Sequence, residues 1–224
     1  MHRGAGFFAG VAALVLCLAS FAQAAPLATD PNAMLGWKGT QPYSATVFTF
    51  TLKANVEYAV YAPGNFNLSF PSQDPSGGTQ YVYAYEIFND QGGNRSILNF
   101  TVGFSGGNEL PAGIGHTSVG LTGSPIAPSS SLFIPAGTPK ASAKWDFSAS
   151  SPLFTSGVGK KSNILFYTSP YGPELDWGTL QGSAGVGQQQ LLPSPVPEPA
   201  SLLLAAIAAG SVMLFRVVRR RTPA

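Results

Sequence analysis

Tyr81-Val82-Tyr83-Ala84-Tyr85-Glu86-Ile87-Phe88 is the stretch on which the fold turns. Tyr81, Tyr83, Tyr85 and Ile87 fall on one parity, and Val82, Ala84, Glu86 and Phe88 on the other. Successive side chains of a strand point to opposite faces, so this pattern predicts a β-strand with one heavily aromatic face. Asn89-Asp90-Gln91-Gly92-Gly93-Asn94 follows, a run of turn formers with glycines available for positive φ. Leu98, Phe100, Val102 and Phe104 then alternate with Asn99, Thr101 and Gly103. Together these segments predict a β-hairpin.

Outward from this pair the same period recurs. Phe48, Phe50 and Leu52 alternate with Thr49, Thr51 and Lys53. Val56, Tyr58 and Val60 repeat the pattern, and Phe66, Leu68 and Phe70 do so after a Pro63-Gly64-Asn65 turn. Residues 71–79 read as a polar loop, and residues 106–130 as a Gly/Pro/Ser-rich connection. Further strands are expected at 131–134, 143–147 and 163–168, while residues 25–44 read as an irregular lead-in or first edge strand. No amphipathic helix of useful length interrupts the series. Short alternating runs separated by turn chemistry predict an all-β fold, an antiparallel β-sandwich. The stretch from Tyr81 to Asn89 with its returning Phe/Val strand is similar to the immunoglobulin-like domains of surface proteins, a resemblance that implies a sandwich of that type.

The two ends carry different information. Met1-His2-Arg3, the apolar run from Phe7 to Phe21 and Ala22-Gln23-Ala24 have the layout of a secretory signal peptide over 1–24, cleaved after Ala24. Cys17, the sole cysteine, leaves with it, so the exported domain has no disulfide and must stand on its own core. Residues 25–183 form one β-sandwich ectodomain, about 160 residues, enough for a single two-layer core. Residues 184–194, with Gln188-Gln189-Gln190 and several prolines, read as a flexible linker. Residues 195–224 then hold Pro197-Glu198-Pro199, an apolar span over 200–218 and Arg219-Arg220-Arg221. As one helix that span is about 28 Å long, close to the ~30 Å hydrocarbon core of a bilayer. Arg216 lies near its end, where the stem can snorkel to the headgroups. The terminal arginines place the C-terminus in the cytoplasm and the ectodomain outside.

Pro-Glu-Pro, an apolar span and an arginine cluster in that order resemble the PEP-CTERM sorting signal of exported proteins in Gram-negative bacteria. The resemblance implies recognition by exosortase, a membrane-embedded cysteine protease-transpeptidase. It also implies removal of the tail and delivery to the cell surface or to an extracellular polysaccharide matrix such as a biofilm. Pro197, Glu198, Pro199, Arg219, Arg220 and Arg221 are then the sorting residues. The segment from Ile164 to Pro173 is similar to a closing strand and turn found in many such cargoes, which carries no activity with it.

Charge excludes one class of partner. The ectodomain has seven basic and nine acidic side chains, scattered, for a net charge near −2. No basic patch exists for phosphates, so nucleic acid is not an expected partner. Catalysis is not expected either. Gly103-Phe104-Ser105-Gly106-Gly107 fits the letters of a nucleophile elbow, but Asn108 to Gly113 is no helix. His116 is the one histidine beyond the signal, with Glu109 the only acid between it and Ser105. A lone histidine without cysteine makes no zinc set, and Asp90 to Asn94 lacks the acidic density of a calcium loop, so no metal or cofactor is expected. Glu174 and Asp176 are too close in sequence to oppose each other across a glycosidase cleft.

Aromatic side chains remain. The Tyr81, Tyr83, Tyr85 stripe reads as core with hydroxyls at its rim, and Trp37, Tyr171 and Trp177 are the candidates for glycan contact. The leading expectation is a non-enzymatic exported surface or matrix protein. The alternatives are a carbohydrate-binding module attached to secreted polysaccharide, and an unprocessed single-pass membrane protein.

Overall fold

The computed structural model describes residues 26–89, 91–104, 113–134, 141–147, 152–155 and 160–196. The expected signal peptide (1–24), the Pro-Glu-Pro tripeptide, the span 200–218 and the terminal arginines lie outside these residues, as do Ser105, Glu109 and Asp90. Among the described residues no helix is long and apolar enough to cross a membrane.

Among the described residues ten strands make two five-stranded antiparallel sheets. They are β1 (Lys38–Val47), β2 (Phe50–Tyr61), β3 (Tyr81–Phe88), β4 (Ile97–Gly103), β5 (Gly113–Thr117), β6 (Ser130–Ile134), β7 (Ser142–Asp146), β8 (Ile164–Ser169), β9 (Pro173–Gly182) and β10 (Gly187–Pro195). The first sheet has the order β1-β2-β3-β8-β5 and the second β10-β9-β4-β7-β6. The chain is an all-β sandwich, as the alternation predicts. Strands expected at 131–134, 143–147 and 163–168 appear as β6, β7 and β8.

The hairpin expected around residues 89–94 is not formed. β3 pairs with β2 and β8, whereas β4 pairs with β7 and β9 in the opposite sheet. Both strands carry inward aromatics, Tyr83 and Tyr85 on β3 and Phe100 on β4, which pack in the core between the sheets. Tyr85 and Phe100 meet edge to face at 5.5 Å across the sandwich, Phe100 stacks on Trp145 at 5.8 Å, and Tyr83 stacks on Tyr167 at 5.0 Å. Contacts of this kind contribute about 0.5–1.5 kcal/mol each beyond area burial.

Three further expectations are corrected. The alternation through Phe48 continues on paper, but Val47 pairs with Phe50, so Phe48 and Thr49 form a two-residue loop joining β1 to β2. Phe66, Leu68 and Phe70 are no strand. Phe66–Ser69 is a short helix, α1, closed by Phe70 N–H donating to Phe66 O at 2.8 Å. Residues four apart share a face in a helix as well as in a strand, so buried Phe66 and Phe70 fit both periods, while Leu68 between them is exposed. Lastly, the linker expected over 184–194 is mostly β10. It pairs with β9 from Gly187 to Pro195, and Leu192 and Ser194 are fully buried. Its glutamines supply the side-chain hydrogen bonds that close the sandwich at this edge. Gln41 Nε2 donates to Gln190 Oε1 at 3.1 Å, and the Ser44 backbone N–H donates to Gln188 Oε1. Edge strand β1 is thereby capped by side chains of the other sheet.

β9 is hidden in the sequence because two of its inward positions are glycines. A Cβ on Gly178 would lie 2.4 Å from Leu192 Cδ1 and 3.0 Å from the Tyr43 hydroxyl, which donates to Gly178 O at 3.1 Å. Glycine there leaves room for a buried phenol to reach a backbone acceptor.

The outer face of the first sheet is roofed. Leu27, in a single 3-10 turn at Leu27–Thr29, joins Ala33, Phe66, Phe70 and Leu121 over Ala59, Tyr61, Val82, Ala84, Ile164 and Phe166. Under this roof Asp30 is buried, and its Oδ2 accepts from the Tyr61 hydroxyl at 2.7 Å.

Candidate functional site

The three aromatic residues proposed for glycan contact do not converge. Trp37 is half-buried in the turn before β1, where its N–H donates to Met34 O at 3.1 Å and its ring packs against the inter-sheet core. Tyr171 lies in the β8–β9 turn, and its carbonyl accepts from the Tyr83 hydroxyl at 2.8 Å. Trp177 alone projects from the outer face of the second sheet, 49% exposed.

The tyrosine stripe is core. Tyr83 and Tyr85 are fully buried, and burial raises both phenols far above their ordinary range. Tyr85 shares a hydrogen bond with the Tyr167 hydroxyl at 3.1 Å and donates to Pro193 O on β10. These hydroxyls tie the two sheets together. Glu174 and Asp176 stay apart in environment, the first exposed and the second buried with Oδ1 accepting the Trp177 N–H at 2.7 Å. They do not face each other across a cleft.

His116 sits on β5 with its ring 3.0 Å from Asn163 Nδ2. The amide donates to Nδ1, which assigns the ring proton to Nε2. Partial burial lowers its pKa, so the neutral ring is favoured. Among the described residues no three metal-ligating side chains gather at one place.

One polar constellation was not anticipated from the sequence. Glu86, on the roofed face of β3, is buried and sits opposite Glu57 of β2 in the pairing register. Lys161 Nζ approaches Glu86 Oε1 to 3.4 Å, and Glu57 Oε2 accepts the Ala28 N–H at 3.3 Å. Burial pushes the Glu86 carboxyl up to about 7, with Lys161 opposing that rise and Glu57 adding to it. The signal available beforehand was a glutamate sharing its strand face with Val82, Ala84 and Phe88. The group holds one ion pair with a second carboxylate beside it.

No family model, no curated protein and no solved structure matches the chain.

Proposed function

We propose that this chain is an exported, non-enzymatic surface or matrix protein, an immunoglobulin-like sandwich carried outside by its signal peptide. In this reading the Pro-Glu-Pro segment, the apolar span over 200–218 and the arginines act as a sorting tail for an exosortase-type enzyme. The observation that carries the proposal is the position of β10. The last strand is paired along its length with β9, and Val196 N–H donates to Gly172 O at 3.2 Å, one residue before Pro197. A tail removed beyond residue 196 therefore leaves every strand of the sandwich in place. Pro197 and Pro199 lack backbone donors and hold the residues before them extended, which suits a segment read by an enzyme cleft.

The test is the mass of the protein recovered from the surface fraction of a host that carries the sorting enzyme. The expected species begins at Ala25 and ends after β10. A species retaining Arg219 to Arg221 would establish the unprocessed membrane anchor instead. The Pro197→Ala, Pro199→Ala double variant is expected to accumulate in the membrane fraction, and unchanged delivery would refute the sorting role.

A further inference from the structure

We propose that the outer face of the β10-β9-β4-β7-β6 sheet is a contact surface for a neutral polysaccharide, with Trp177 as the residue on which a sugar ring stacks. This deepens the surface-protein reading by naming a ligand class and the face that takes it.

The two outer faces of the sandwich are treated differently. The first sheet is roofed by Leu27, Phe66, Phe70 and Leu121, whereas on the second sheet Leu175, Trp177 and Leu191 stand 49%, 49% and 43% exposed. Trp177 and Leu191 are paired across β9 and β10, and Leu175 lies two residues from Trp177 on the same face. They form one contiguous apolar patch, and patches of this kind mark interaction sites.

The rest of the face decides the partner. Next to the patch, the register aligns Gln189, Thr179, Thr101 and Lys144 in one row, and Gln181, Asn99 and Asp146 in the next. Gln189 Nε2 donates to Thr179 Oγ1 at 3.2 Å, and Asn99 Nδ2 donates to Gln181 Oε1 at 2.8 Å. Each amide so held keeps donor or acceptor capacity beyond that bond. The charges cancel locally, because Lys144 Nζ is 2.7 Å from Asp146 Oδ1. An anionic polymer or lipid surface would need unpaired cations, which the described residues of this face do not offer. A stable protein interface needs roughly 800 Å² per partner around a desolvated core, more than three partly exposed side chains supply. A sugar chain presents an apolar C–H face beside hydroxyls that donate and accept. An exposed indole next to rows of neutral amides and hydroxyls matches both halves of that chemistry. The face carries its charge as one locally cancelled pair and is about 19 Å across five strands, which suits an extended polymer.

The experiment is affinity electrophoresis of the purified full chain in gels containing hydroxyethylcellulose, glucomannan or dextran, with alginate as the anionic comparison. The expected result is retardation by at least one neutral polymer, weakened about tenfold or more by Trp177→Ala. Gln189→Ala with Asn99→Ala should weaken it to a smaller extent, and Trp37→Phe should leave it unchanged. Trp177 is exposed, so far-UV circular dichroism and the urea midpoint of Trp177→Ala should match the parent and separate lost contact from lost fold. Retardation by none of the neutral polymers, equal retardation of Trp177→Ala, or retardation by alginate alone would overturn the proposal. So would a dimer in sedimentation velocity that Trp177→Ala dissociates, which would give the face to a second copy of the chain. The assay uses unprocessed protein, so its outcome is independent of whether the tail is sorted.

Discussion

Replacing Glu86 by glutamine removes a charge from under the roof of the first sheet while keeping the side chain's shape. In the folded protein the Glu86 carboxyl is pushed up to about 7, from an ordinary value of 4.5. A carboxyl whose folded pKa is raised binds its proton more tightly when folded. Its favourable contribution is complete below pH 4.5 and is lost as the pH rises through about 7. With 1.36 kcal/mol per unit, that rise corresponds to roughly 3 kcal/mol between the two limits. Few other groups shift between these pH values without cancelling when parent and variant are subtracted. The stability difference, Glu86→Gln minus parent, should therefore grow in favour of the variant by about 3 kcal/mol as the pH rises from below 4.5 to 9, steepest between 4.5 and about 7 and level above that. Urea unfolding followed by tryptophan fluorescence at half-unit pH steps reads this directly. Lys161 opposes the rise, so Lys161→Met in the parent background should move the inflection to higher pH. A difference independent of pH, or one that shrinks as pH rises, would refute the account of Glu86 as a carboxyl held against its burial.

Three other outcomes follow from single positions. Phe48 holds φ 54° in the two-residue loop between β1 and β2, with its ring 93% exposed, so it pays left-handed strain for no burial. Phe48→Gly should raise stability by about 0.5–1 kcal/mol, seen as a higher thermal midpoint; destabilisation would mean that the ring makes a contact in solution. Tyr61→Phe deprives buried Asp30 of its 2.7 Å donor and should cost about 1–3 kcal/mol in urea unfolding, whereas a neutral result would mean that water replaces the hydroxyl. Gly178→Ala places a methyl 2.4 Å from Leu192 Cδ1 and 3.0 Å from the Tyr43 hydroxyl; a loss of about 1–3 kcal/mol is expected, and an unchanged midpoint would show that Leu192 can move aside.

Trp177 shows how much of the candidate surface was legible beforehand. Its residue type singled it out together with Trp37 and Tyr171, since large amphipathic rings mark contact surfaces in any sequence. Which of the three is presented outward depends on the face that each backbone position takes. Trp177 projects from the sheet because Asp176 and Gly178 on either side of it point inward, and that parity was masked by Gly178 and Gly182 where a reader looks for apolar residues. The Glu57, Glu86 and Lys161 group was illegible for another reason. Its members lie 29 and 75 residues apart and meet through the pairing of β2 with β3 and the antiparallel bridge of Lys161 to Phe88, just before β8.

The sequence by itself determined that the chain between its two apolar ends is a sandwich of antiparallel strands. Side-chain alternation is a local property of extended backbone, so Tyr81 to Phe88 and Ile97 to Gly103 announce themselves without reference to anything distant. Only the tertiary structure decided which strand lies beside which, because pairing is a competition among all faces at once. Tyr85 and Phe100 settled against each other across the core, and Gln188 and Gln190 were drawn onto the edge of β1. A run that reads alone as a polar tether thus became the last strand, since its amides found backbone and side-chain partners that no local window contains.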